Sequence, residues 1–144
     1  MLQRLVYSQF KVYRVNPKDL DSAPIEPYPF CEPSTYRIVT VINEPATQVV
    51  YEDWFKGQDV TWWAWTDAIH FVLQGKAEVT VWQPPDMTKK FVEIVEPPCV
   101  YLIPRGARVQ WRVLSDVPFR KLVADVPNPG FEEIAQELGG GKKK

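Results

Sequence analysis

The sequence predicts an all-β domain, a sandwich or barrel, with a Pro-rich arm before it and a short helix after it. Three observations carry this. Short runs rich in Val, Ile, Tyr and Trp follow one another from Tyr36 onward. Turn residues separate them at the spacing of an all-β sandwich or barrel. Helical spacing of apolar residues appears at the tail.

From Asn16 to Pro33 the text NPKDLDSAPIEPYPFCEP is dense in Pro and Asp. It is too broken for a helix or a central strand and reads as an ordered arm laid over the body. The strand candidates then run YRIVTVI, TQVVYEDWF, VTWWAW, AIHFVLQ, KAEVTVW, KKFVEIV, CVYLI, RVQWRVL and RKLVADV. Gly75-Lys76 marks a tight connection or bulge, and Gln83-Pro84-Pro85-Asp86 joins its flanking runs as an antiparallel hairpin. After Asn128-Pro129-Gly130, the segment FEEIAQEL places Phe131, Ile134 and Leu138 at helical spacing, with Glu132 and Glu133 in the first turn favouring the dipole. The Gly139-Gly140-Gly141 stretch ends that helix, and GGGKKK reads as a frayed tail. The division is an N-terminal strand and arm over 1–35, a barrel over 36–130, and a helix with tail over 131–144, all one domain.

Composition bounds the function. The 144 residues are 45% hydrophobic and 24% charged, which excludes a disordered or membrane-spanning chain and supplies enough core to dispense with disulfide or zinc staples. Without Lys142, Lys143 and Lys144 the body holds 14 basic against 18 acidic residues. A mildly acidic body with no basic stripe argues against nucleic acid as a partner. Gln3, Arg4, Ser8, Gln9 and Lys11 interrupt any apolar run at the start, so no signal peptide is expected and the expected location is cytoplasmic. Cys31 and Cys99 lack CxxC spacing and read as free thiols.

Two segments say more. Asp67-Ala-Ile-His-Phe-Val-Leu-Gln-Gly75-Lys-Ala-Glu-Val-Thr-Val-Trp82 and Pro98-Cys-Val-Tyr-Leu-Ile-Pro104-Arg-Gly106-Ala-Arg-Val-Gln-Trp111 together resemble the paired motifs of the cupin superfamily. The resemblance spans roughly Tyr36 to Pro127 and implies a double-stranded β-helix, or jelly-roll barrel. Fold does not imply function, and the superfamily includes dioxygenases, decarboxylases, epimerases, isomerases, lyases, storage proteins and sensors. Its metal-binding members take a His-x-His pair and a Glu from the first motif and a His from the second. Counting from Gly75, the Glu falls on Ala68 and the His pair on Thr61 and Trp63 or on Trp62 and Ala64; counting from Gly106, the last His falls on Val109. The expectation is therefore a cupin without a metal or other cofactor. An atypical site built from His70, Cys99 and one carboxylate is the competing reading.

With Ala68 facing the barrel interior as the resemblance implies, strand alternation aims His70 and Val72 inward and sets Phe71 and Leu73 to pack on the other side. The same counting from Val109 aims Trp111 and Val113 inward. Trp62, Trp63 and Trp65 crowd the vacated metal stretch, Trp54 and Phe55 lie just before it, and Tyr101 leads into Pro104. The picture is an aromatic cavity with one imidazole. His70 and Tyr101 are the candidate catalytic residues, and Trp63, Trp65, Trp111, Val109, Val72 and Arg37 the candidate substrate contacts, Arg37 holding a carboxylate at the mouth. Each has a plainer reading: indoles that plug the barrel, a hydrogen-bonded core histidine, an arginine paired with a surface acid. Glu52, Asp53 and Asp67 are open between orienting His70 and being solvated.

Three functions compete. The first is a metal-independent enzyme moving a proton on a small organic molecule, of isomerase, epimerase, cyclase or lyase type, with His70 as general acid or base and Tyr101 as second proton-transfer group. The second is a non-catalytic binding or sensing module. The third is a metal-dependent oxygenase or decarboxylase with atypical ligands. The Pro-rich arm and the strand edges suit a homodimer, and a small molecule is the expected partner, with neither nucleic acid nor membrane.

Overall fold

A computed structural model describes residues 7–140. The first six residues of the N-terminal arm and the lysine tail lie outside the described residues. The arm from Tyr7 to Asn16 runs without helix or ladder and is tied down by Ala46 N–H on the Ser8 hydroxyl (2.9 Å) and by the Tyr51 hydroxyl on the Val15 carbonyl (3.3 Å). The Pro-rich text forms one short 3₁₀ turn, Pro17–Ser22. Asn16 caps it by accepting from Lys18 N–H, Pro17 occupies the first turn where its missing N–H costs nothing, and fully buried Leu20 pins it to the body.

The barrel is two antiparallel sheets. One has the order β1 (Glu26–Pro27), β2 (Thr35–Glu44), β3 (Thr47–Trp54), β10 (Phe119–Val126), β5 (Asp67–Gln74) and β8 (Cys99–Ile103). The other has the order β4 (Asp59–Trp63), β9 (Arg108–Val113), β6 (Ala77–Trp82) and β7 (Lys90–Val95). Each strand candidate forms a strand, and the Gln83–Asp86 turn joins β6 to β7 as an antiparallel pair. The helix α1, Phe131–Gly140, follows β10. The inner faces meet in a core that includes Trp54, Val60, Val79, Val109, Trp111 and Phe119.

Gly75 and Gly57 both have positive φ, at +86° and +90°, but for different reasons. A Cβ on Gly75 would lie 2.7 Å from the Pro118 carbonyl oxygen, so the β5–β6 turn is pressed against the chain entering β10. Around Gly57 there is open space. A side chain at Gly75 therefore meets fixed backbone as well as an unfavourable dihedral.

Strands β3 and β10 pair with Arg120 opposite Asp53 and Lys121 opposite Glu52. Because successive side chains leave a strand on opposite faces, one ion pair faces out and the next faces in. On the outer face Asp53, wholly buried, receives Arg120 through two bonds of 2.8 Å and Arg37 at 2.9 Å, and Arg120 reaches on to Asp21 beneath the 3₁₀ turn at 2.6 Å. Farther along that face, Ile69, Phe71, Val100 and Leu102 of β5 and β8 form an exposed apolar patch, so Phe71 is half exposed rather than packed. No helix among the described residues is long and apolar enough to cross a membrane.

Two stability predictions follow from these contacts. Asp53→Asn, which strands two guanidinium groups under the arm, is expected to cost about 3–5 kcal/mol in urea unfolding, whereas Asp21→Asn, at an exposed partner, is expected to cost far less. Gly75→Ala is expected to cost about 2–4 kcal/mol and Gly57→Ala about 1–2 kcal/mol. Equal losses within either pair would remove the buried network or the backbone contact as the cause.

Candidate functional site in the barrel

The site is written in the register of the larger sheet. Its inner face carries three cross-strand rows: Gln48, Asp125, Ala68 and Ile103; then Val50, Val123, His70 and Tyr101; then Glu52, Lys121, Val72 and Cys99. Ionisable groups therefore stand in all three rows of a surface that the second sheet covers.

These rows form the floor of a cavity of about 210 Å³, whose walls include Tyr28, Phe30, Tyr36, Trp54, Trp62 and Trp111. For scale, an engineered cavity of about 150 Å³ holds benzene. Helix α1 supplies the outer wall through Phe131, Glu132, Ala135 and Gln136. It is held there by an aromatic cluster, Phe131 lying 5.1 Å from both Trp62 and Trp65, and by Asn43 Nδ2 donating to Glu132 Oε1 at 3.0 Å.

The Lys121 side chain is completely buried, and its Nζ donates to Glu52 Oε1 at 2.7 Å. The same nitrogen sits 3.7 Å above the Trp54 ring centroid and 5.4 Å from that of Trp111. Burial lowers the Lys121 pKa, while the neighbouring Glu52 opposes the shift. Asp125 moves further: burial, reinforced by the Glu52 charge, lifts its carboxyl from the ordinary value to about 7, against the opposing pull of Lys121 and the Thr66 hydroxyl.

His70 lies on the cavity wall, 5% exposed, with its ring stacked on Tyr101 at 4.8 Å and 12°. Burial first, and then the Lys121 charge, hold its pKa well below the usual imidazole value. The ring is therefore neutral at pH 7, and the acid–base group poised near neutrality is Asp125 instead. His70 Nδ1 is buried without a partner. Tyr101 lies outside the cavity lining, behind His70; its hydroxyl accepts from Trp111 Nε1 at 2.8 Å, and burial raises its pKa.

The remaining sequence candidates divide. Val72, Val109 and Trp111 are buried in the core, and of these Trp111 lines the cavity. Trp63 does not: Val60 and Trp62 take the inner face of β4, so Trp63 points out and is 55% exposed. Trp65 follows the end of β4 and stacks on Trp62 from outside the cavity, centroids 5.5 Å apart. Arg37 is a correction as well. Its neighbours Tyr36 and Ile38 face the cavity, so alternation puts Arg37 on the outer face with Asp53 instead of at the mouth. Cys31 and Cys99 are free.

Sequence reading passed over Lys121, Asp125 and Gln48. A signal was present: RKLVADV carries charge at both strand parities, through Arg120 on one and Lys121 and Asp125 on the other. In a strand flanked on both sides, one of those sets must be buried.

At the positions where metal-binding cupins place ligands, Ala68 and Val109 are hydrocarbon and the His-x-His positions hold Thr61, Trp62, Trp63 and Ala64. Those residues do not fit a transition metal, which needs converging N, O or S donors. Among the described residues no group of three or more His, Cys, Asp or Glu is arranged to hold one.

No protein-family model matches the chain, and no curated protein does. Solved structures do. KdgF from Halomonas sp. superposes with a TM-score of 0.59 at 16% identity, over 78% of this chain and 94% of its own. An RmlC-like cupin from Shewanella frigidimarina gives 0.58 at 10% identity, over 78% and 90%. Oxalate decarboxylase from Bacillus subtilis, a protein with Mn(II) centres, gives 0.58 at 14% identity, over 88% of this chain and 31% of its own. Identities this low establish the architecture rather than the chemistry: the chain has the cupin jelly-roll fold, with a lysine, two carboxylates and a neutral histidine set into the floor of its barrel.

Proposed function

We propose that the barrel cavity is the active site of an enzyme that moves a proton on a small organic substrate with an apolar or aromatic body, in a reaction of isomerase, epimerase, cyclase or lyase type. The observation that carries this reading is Asp125. Its carboxyl group, at about 7, shares an aromatic-walled cavity with an ammonium and a neutral imidazole. Groups whose environments push their pKa values toward neutrality are the usual mark of acid–base work.

Asp125 takes the role of general base or acid. With its carboxyl lifted to about 7, proton donation and acceptance are both available near neutral pH. His70 orients the substrate. With Nδ1 unpartnered, an unmet lone pair there is less costly than an unmet N–H, so Nε2 carries the proton and donates to a substrate oxygen. Tyr101 fixes the plane of that ring by stacking and is a positioning residue rather than a proton carrier. The aromatic walls hold the body of the substrate and keep water from the carboxyl.

Indole emission from Trp54, Trp62 and Trp111 reports the cavity directly, so a screen of small aromatic and carboxylic metabolites should yield quenchers that saturate. Among these the true substrate is turned over, and Asp125→Asn lowers turnover by about 10² to 10⁴ while changing its Kd by less than about tenfold. Saturable ligands with no turnover would make the cavity a binding or sensing site; no saturable ligand would remove it as a site.

Asp125 also sets a pH dependence. The folded protein keeps this proton up to about pH 7, whereas the unfolded chain releases it around 3.8. The folded state thus binds more protons across that window, and the Asp125 contribution to stability falls as pH rises through it. Asp125→Asn should flatten that part of the urea-unfolding profile. An unchanged slope would place the Asp125 pKa back in the ordinary carboxylate range.

A further inference from the structure

We infer that Lys121 is a carbonyl-capturing amine: the cavity takes an aldehyde or ketone whose carbonyl carbon bonds to Lys121 Nζ, forming a protonated imine above Trp54. This deepens the reading of the cavity as a small-molecule active site and rests on it.

The argument starts from cost. A lysine with no exposure on the central strand of a sheet is expensive to bury, and hydrocarbon would serve packing better there. What surrounds the nitrogen is specific. Glu52 holds it at 2.7 Å, the face of Trp54 lies 3.7 Å away, and the side chain also lines the cavity. Counter-ion and ring together favour a positive charge at Nζ. A protonated imine carries that charge on the same atom, so the environment that holds the ammonium also holds the adduct.

A proton carrier is in contact with the amine. Glu52 touches the amine, and Asp125 shares the inner face of β10 with Lys121, separated along that face by Val123. Glu52 takes one proton from the ammonium, and the freed electron pair forms the C–N bond as the carbonyl π pair moves onto oxygen. Glu52 passes that proton to the oxygen and takes one from the new secondary ammonium. It then gives this proton to the hydroxyl, which leaves as water while the nitrogen pair closes the C=N bond. Ammonium and carbonyl become iminium and water, and the Glu52 carboxylate ends as it began. Burial supports the first step by lowering the lysine pKa, the usual way a lysine becomes a nucleophile. An iminium also draws electrons from the adjacent carbon and so acidifies the C–H that a base such as Asp125 would take.

The test traps the adduct. The full chain is incubated at pH 7 with benzaldehyde, and separately with pyruvate, in the presence of sodium cyanoborohydride, which reduces an imine to a stable secondary amine; peptide mapping then locates it. Only the free amine condenses with a carbonyl, and burial lowers the Lys121 pKa, so Lys121 is expected to be labelled faster than any exposed lysine by at least one of the two probes. Benzyl alcohol, which fits the same cavity but cannot form an imine, should slow labelling at Lys121 and leave the other sites unchanged. Lys121→Arg should lose this label, and the wild-type map decides the matter even if that variant does not fold. Labelling confined to exposed lysines, or no faster at Lys121, overturns the inference. If benzyl alcohol still quenches indole emission saturably in that case, the cavity reading survives without the imine; if neither quenching nor labelling occurs, both fall.

Discussion

The ion pair between Lys121 and Glu52, closed over Trp54, is the interaction on which the interior of this barrel depends. It joins the two central strands of the larger sheet through their inner face. It also sets the electrostatics around it. The lysine charge helps keep His70 neutral, and the glutamate charge helps lift Asp125 toward neutrality. Removing either partner would leave an uncompensated charge in a space with little water, so these groups form one coupled unit.

The outer face of the same strands repeats the arrangement. One residue along, Asp53 and Arg120 pair in the same charge order, acid on β3 and base on β10, joined by Arg37 and covered by the Pro-rich arm. The two networks share backbone but differ in surroundings. The outer one ends in Asp21, largely exposed, and the inner one ends in a cavity. The first is a clasp that fixes the arm to the barrel; the second faces space that a ligand can enter.

A cupin barrel without the usual donors could be expected to fill with hydrocarbon. Here it does so only in part. Ala68, where metal-binding cupins place a glutamate, has Asp125 as its cross-strand neighbour in the register, so a carboxylate remains in that row, one strand over. The indoles of Trp54, Trp62 and Trp111 build walls around the remaining space, and α1 forms its outer wall. Shape is supplied by aromatic rings and polarity by the sheet floor.

The sequence by itself determined the strand runs and the turns at Gly75 and Gln83–Asp86, because alternation and turn chemistry are local; the inward face of Ala68, His70 and Trp111 was legible only through the resemblance of their segments to the cupin motifs. Tertiary structure decided which charges were buried. The parity of RKLVADV is ambiguous on its own, since Leu122 and Val123 are both apolar, and only its place between β3 and β5 shows that Lys121 and Asp125 face a closed interior. Arg37 and Trp63 were misplaced for the same reason: a residue's parity relative to its neighbours is in the sequence, but which parity faces inward depends on the sheet that packs against it. The site itself, Glu52 on one strand, Lys121 and Asp125 on another and His70 on a third, exists only once hydrogen-bonded pairing brings residues up to 73 positions apart into neighbouring rows.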